Sequence, residues 1–110
     1  MVARRFIDMT PEGKVKVIAK KFLQKHNIPY WSVIPSPMGG VGMADLCCIL
    51  PKTGQWLCLE LKAAGKKKNV TANQQKFIDT VNTCNGVAVV VDCQEDLNML
   101  EETLKQRGLI

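Results

Sequence analysis

The stretch "ADLCCILPKTGQWLCLELK", residues 44–62, constrains this chain most. Two apolar, leucine- and cysteine-containing runs flank "PKTG", whose proline and glycine mark a turn. This reads as a hairpin with strands at 44–50 and 55–62. If Leu50 pairs with Gln55, Asp45 falls opposite Glu60, and Cys47 opposite Cys58. Alternation then places Asp45, Cys47 and Ile49 on the same face as Glu60, Cys58 and Trp56. Lys62 lies two residues beyond Glu60, on that same face. Two carboxylates directly opposite each other destabilise a sheet, so a positive charge must offset them. Lys62 is one candidate, and a divalent cation is another.

The rest of the chain organises around the hairpin. Thr10-Pro11-Glu12 reads as a helix start, with Thr10 as cap and Pro11 in the first turn. Val15, Ile18, Ala19, Phe22 and Leu23 follow on one face, while Lys14, Lys16, Lys20, Lys21 and Lys25 occupy much of the remainder. This helix should stop near Asn27, ahead of Pro29. A strand is expected at 30–34, an irregular loop at 35–43 and a second loop at 63–69. A helix at 70–85 is capped by Thr71 and stopped at Asn85-Gly86. "VAVVVD" (87–92) is a buried strand, and 94–108 a final helix. Three sequential strands form an antiparallel meander, and the fourth, reached through a helix, joins in parallel. The expected architecture is α/β, with one central mixed four-stranded sheet flanked by helices, in one domain over 1–110.

Bulk properties exclude several classes. No apolar run reaches the roughly 18–20 residues of a membrane span. The start, "MVARRFIDM", has two arginines but no apolar segment behind them, and so does not read as a signal peptide. Five cysteines without a CxxC pair, together with one histidine, His26, argue against zinc. Free thiols in a reducing, cytoplasmic setting are expected. A net charge of +5 and a pI near 9.1 suit a polyanion such as nucleic acid.

A hard cation such as Mg²⁺ takes oxygen ligands and keeps several waters. Asp45, Glu60 and the backbone carbonyl of Leu61 would make an open site of that kind. Such an ion acidifies water and stabilises charge on a phosphate oxygen, and Lys62 beside it would assist. This is chemistry for breaking a phosphodiester. The plainer reading is a surface Glu–Lys pair at a strand end, with Asp45 in a turn.

"GMADL", then "LELK" after the short hairpin, then "VTANQQKFIDTV" together resemble the core of the PD-(D/E)xK nucleases, more narrowly its VRR-NUC branch, which includes small stand-alone phage nucleases. Gly42 and Asp45 match the family's Gly-x-x-Asp, and Glu60 and Lys62 its Glu-x-Lys. Gln74 matches the glutamine of the next helix, with Gln75 adjacent, and Glu12 the glutamate of the first helix. Ala44 departs from the proline of the superfamily's name, at a position that is not a ligand. The resemblance spans about residues 10–100. It implies a restriction-endonuclease-like αβββαβ core and Mg²⁺- or Mn²⁺-dependent DNA cleavage. Asp45, Glu60 and the Leu61 carbonyl would be the metal ligands and Lys62 the catalytic lysine. Gln74 would support that lysine or touch the scissile phosphate, and Glu12 would orient a metal-bound water or bind a second ion. It further implies a homodimer acting on branched DNA such as a four-way junction, in the host cytoplasm if phage-encoded.

Lys66, Lys67 and Lys68 directly follow the proposed site strand and are expected to grip DNA, with Gln75 as a further contact. Arg4 and Arg5 are a candidate basic arm. Gly39, Gly40 and Gly42 allow a close approach of DNA or a partner, or serve only the loop. Tyr30 and Trp31 are expected to pack in the core, and His26 to interact with a helix end. The alternatives to an enzyme are a non-catalytic nucleic-acid-binding module and a plain oligomeric interaction protein.

Overall fold

The computed structural model describes residues 9–33 and 42–110. Arg4, Arg5, Gly39 and Gly40, and the end of the strand expected at 30–34, lie outside them. Helix α1 spans Pro11–Lys25, followed by strands β1 (Tyr30–Ser32), β2 (Leu46–Ile49) and β3 (Trp56–Leu61). A single 3₁₀ turn at Lys67–Asn69 interrupts the loop expected at 63–69. Helix α2 (Ala72–Thr83), strand β4 (Val87–Val91) and helix α3 (Gln94–Gln106) complete the order.

Local signals account for the helix ends. The Thr10 hydroxyl accepts from the Gly13 amide at 2.9 Å, and Pro11 sits where no intrahelical donor is needed. Asn27 and Asn85, both at positive φ, end α1 and α2, and the amides of Ile28 and Gly86 close back onto Leu23 and Val81.

The strands form one mixed sheet in the order β1-β2-β3-β4. The first three are antiparallel, and β4 runs parallel to β3. The β2–β3 register pairs Leu46 with Leu59, Cys47 with Cys58 and Ile49 with Trp56, the register the four-residue turn predicts. Strand β2 begins at Leu46 rather than 44. Asp45 sits in a bend just before it, because its side chain, not its backbone, meets β3.

Helices α1 and α3 cover one face of the sheet. Their Ala19, Leu23, Leu97 and Leu104 pack on Leu46, Leu57, Leu59, Leu61 and Val91, all essentially sealed from solvent. Burying one such leucine contributes about 2 kcal/mol relative to leaving it exposed. Helix α2 covers the other face with Ile78 and Val81, against Ala44, Cys58 and Ala88. Because β3 is central and roofed on both sides, all its residues after Trp56 are buried, Glu60 among them.

Trp31 corrects an expectation, being 57% exposed. Tyr30 points toward α1, packs on the core and accepts from Gln24 through its hydroxyl. Trp31 points to the opposite face, where α2 packs chiefly on β3 and β4 and leaves the edge strand uncovered. His26 caps α1 and places Nε2 2.6 Å from Glu101 Oε2 on α3. The five cysteines are free, and burial pushes the Cys48 and Cys58 thiols up to about 12. Among the described residues, no helix is long and apolar enough to cross a membrane.

Candidate active site

Glu60 is the unusual residue of the sheet. It is a carboxylic acid with 2% exposure, one residue from the end of an interior strand. Its Oε2 accepts from Gln74 Nε2 at 2.9 Å and lies 3.4 Å from Lys62 Nζ. Its Oε1 is buried with no hydrogen-bond partner among the described residues. Burial pushes its pKa up to about 7, the neighbouring Asp45 carboxylate adds to the rise, and Lys62 pulls against it.

Asp45 reaches across the gap where β2 and β3 part. Its Oδ2 accepts from the backbone amide of Leu61 at 2.7 Å, which places the carboxylate at the end of β3. In a strand, the N–H and C=O of one residue point to the same edge, so the Leu61 carbonyl faces the same gap. On its other edge, β3 continues through Lys62, whose amide donates to the Val91 carbonyl.

Gln74 ties this cluster to α2. It occupies the third position of the helix in a reciprocal capping box with Thr71. Its Oε1 accepts from both the Thr71 amide, at 3.0 Å, and Lys62 Nζ, at 3.1 Å, while its Nε2 donates to Glu60. One side-chain amide therefore orients the lysine and the glutamate together. Gly42 explains how the loop before Asp45 gets close enough. At φ +88°, it packs on the first turn of α2, where an added Cβ would lie 2.8–3.0 Å from Asn73. The close approach this glycine allows is to the chain's own helix.

A cleft of about 210 Å³ opens at the same end of the sheet. Thr10, Glu12, Gly13 and Lys16 of the α1 N-terminus form one wall, and Asp45 and Leu61 the other. Glu12, which lies 33 positions from Asp45 in the chain, thus shares a cleft with it. Lys16 was not singled out from the sequence. The signal was present, because it stands one helical turn after Glu12 on the same face.

The lysine run divides. Lys66 and Lys68 are exposed, with no side-chain ion pair among the described residues. Lys67 turns back: its amide donates to Asp92 Oδ2 at 3.2 Å and its ammonium pairs with Asp96. Asp92, Cys93 and Asp96 come close enough to suggest a cation site, but Lys67 already supplies their positive charge. The trio latches the 3₁₀ turn to the start of α3. Gln75 donates to Asp79 on the outer surface of α2 and is not brought to Glu60.

Asp45, Glu60, Lys62 and Gln74 therefore meet at one end of the sheet, with Glu12 and Lys16 across a cleft from Asp45. No known family model, curated protein or solved structure matches this chain.

Proposed function

We propose that this chain is a Mg²⁺- or Mn²⁺-dependent DNA endonuclease with a restriction-endonuclease-like core, of the VRR-NUC branch of the PD-(D/E)xK nucleases. It acts as a homodimer on branched DNA such as a four-way junction, in the cytoplasm. The observation that carries this reading is the Oε1 of Glu60, buried with no hydrogen-bond partner among the described residues. A buried carboxylate oxygen is costly without a partner. The fold keeps this one beside a second carboxylate and holds its other oxygen with a lysine and an amide. The order αβββαβ and the mixed sheet support the same reading.

The donors suit a hard divalent cation: Asp45, Glu60 and the Leu61 carbonyl would hold it, with Glu12 across the cleft for a ligand water or a second ion. When bound, such an ion supplies an acidified water and positive charge at a phosphate oxygen. In the hydrolysis, a water oxygen bonds to phosphorus, one P–O ester bond breaks, and the departing oxygen takes a proton. Lys62, steadied by Gln74 Oε1 and Glu60 Oε2, donates a hydrogen bond to the phosphate oxygen where negative charge builds. Gln74 fixes where that ammonium points, so the lysine reorganises little as the reaction proceeds. Glu60 serves as a ligand only when ionised, so the proton that burial favours competes with the ion for this carboxylate.

The test is cleavage of a four-way junction, a linear duplex and a single strand in Mg²⁺, Mn²⁺ or EDTA. Cutting with either ion and none in EDTA is expected, with Lys62→Ala losing at least ~100-fold while still binding DNA. Binding without cutting of any form would instead indicate a non-catalytic module. Unchanged turnover in Lys62→Ala would remove the lysine from the mechanism.

A further inference from the structure

We propose that Lys16 is a phosphate-binding residue of the site, gripping the DNA backbone beside the cut from the α1 side of the sheet. This rests on the nuclease reading and adds a residue to it. Lys16 is partly buried, and it lines the small cleft whose far wall is Asp45 and Leu61. Glu12 stands one turn before it on the same helix face, a spacing at which glutamate and lysine commonly pair. Yet Lys16 forms no ion pair with Glu12 or with any other acid among the described residues. The nearby Asp45 carboxylate accepts from the Leu61 amide through Oδ2.

The two ammonium groups of the site are differently held. Lys62 comes from β3 and is pinned by Gln74 and Glu60 on the α2 side. Lys16 comes from α1, on the other side of the Asp45–Leu61 end of the sheet. A phosphodiester chain passing this end meets one lysine on each side, and only Lys62 is tied to the site's carboxylates. A lysine without such a tie is suited to neutralising a neighbouring phosphate as a point charge. The α1 N-terminus, with its positive dipole end on the same wall, adds to the attraction. The other lysines of α1 do not line this cleft, which separates Lys16 from a merely basic helix.

The experiment measures DNA binding, so that it does not depend on cutting. Anisotropy of a labelled four-way junction with the full chain in Ca²⁺ is followed from about 50 to 200 mM salt. Lys16→Gln should weaken binding several-fold and reduce the slope of log affinity against log salt by about one, the loss of a single phosphate contact. Lys16→Arg should restore both. Lys14→Gln, which removes an equal charge from the same helix outside the cleft, should leave the slope nearly unchanged. An unchanged slope in Lys16→Gln, an equal loss in Lys14→Gln, or no DNA binding by the wild type would overturn the inference. Binding without cleavage would sink the nuclease reading and still leave Lys16 to be decided by its slope.

Discussion

Glu60→Gln probes a carboxylate whose charged form the fold disfavours. In the unfolded chain a glutamate titrates near 4.5, and in the folded protein Glu60 is pushed up to about 7, first by burial and second by Asp45. The folded state therefore holds a proton that the unfolded chain has already released. Because the folded pKa is the higher one, the stabilising contribution is fully present below pH 4.5. It is lost as pH rises through about 7, at close to 1.4 kcal/mol per pH unit. Across that window the wild type loses on the order of 3 kcal/mol as the buried Glu60, with Asp45 beside it, gives up its proton, a large share of the ~5–15 kcal/mol that holds a domain together. Glutamine keeps the shape and can still accept from Gln74, but it has no proton to lose. Urea denaturation followed by circular dichroism, in EDTA at pH 4.5–8, should show the variant gaining on the wild type by about 3 kcal/mol, nearly all of it below pH 7.5. Parallel stability curves would refute the argument, because Glu60 would then titrate as it does in the unfolded chain. On the proposed function, Mn²⁺ at pH 8 stabilises the wild type and leaves Glu60→Gln unmoved.

Gly42→Ala forces a side chain into a positive-φ position against Asn73, and should cost roughly 2–3 kcal/mol, seen as a lower urea midpoint with an unchanged slope. A neutral outcome would mean that the loop before Asp45 does not depend on that contact. Gln74→Ala removes the lysine's acceptor, a donor to Glu60 and half of the capping box. It should lower stability by about 1–2 kcal/mol. In the junction assay, cleavage should fall further than DNA affinity does, and equal falls would deny Gln74 its positioning role. Lys67→Met breaks the latch to Asp92 and Asp96 and should lower the melting temperature without altering the salt slope of DNA binding. Lys66→Gln with Lys68→Gln should flatten that slope, and the opposite pattern would reassign the grip to Lys67.

Much of the fold is local in origin, and so was readable in the chain. The four-residue turn sets the β2–β3 register, and with it the meeting of Asp45 and Glu60. Thr10, Thr71, Asn27 and Asn85 mark helix ends by chemistry that acts within a few residues. Trp31 was less readable, because its exposure depends on β1 being the edge strand and on where α2 lies, neither of which its neighbours encode. Lys67 looked like its two neighbours, and its acidic partners lie 25 and 29 positions further along. Lys16 was one lysine among several until the packing of α1 brought it to Asp45 and Leu61.

The local pattern of the chain sets which residues share a face and which oppose each other, since backbone periodicity and turn geometry act within a few residues. It thereby supplied Asp45, Glu60 and Lys62 as a group. What that group experiences depends on elements packed around it from distant parts of the chain. The roof of α2 removes water from Glu60, the amide of Gln74 joins it to Lys62, and the first turns of α1 close a cleft over Asp45. Desolvation and charge proximity act through space, so the same three residues on an uncovered sheet would be an ordinary surface ion pair.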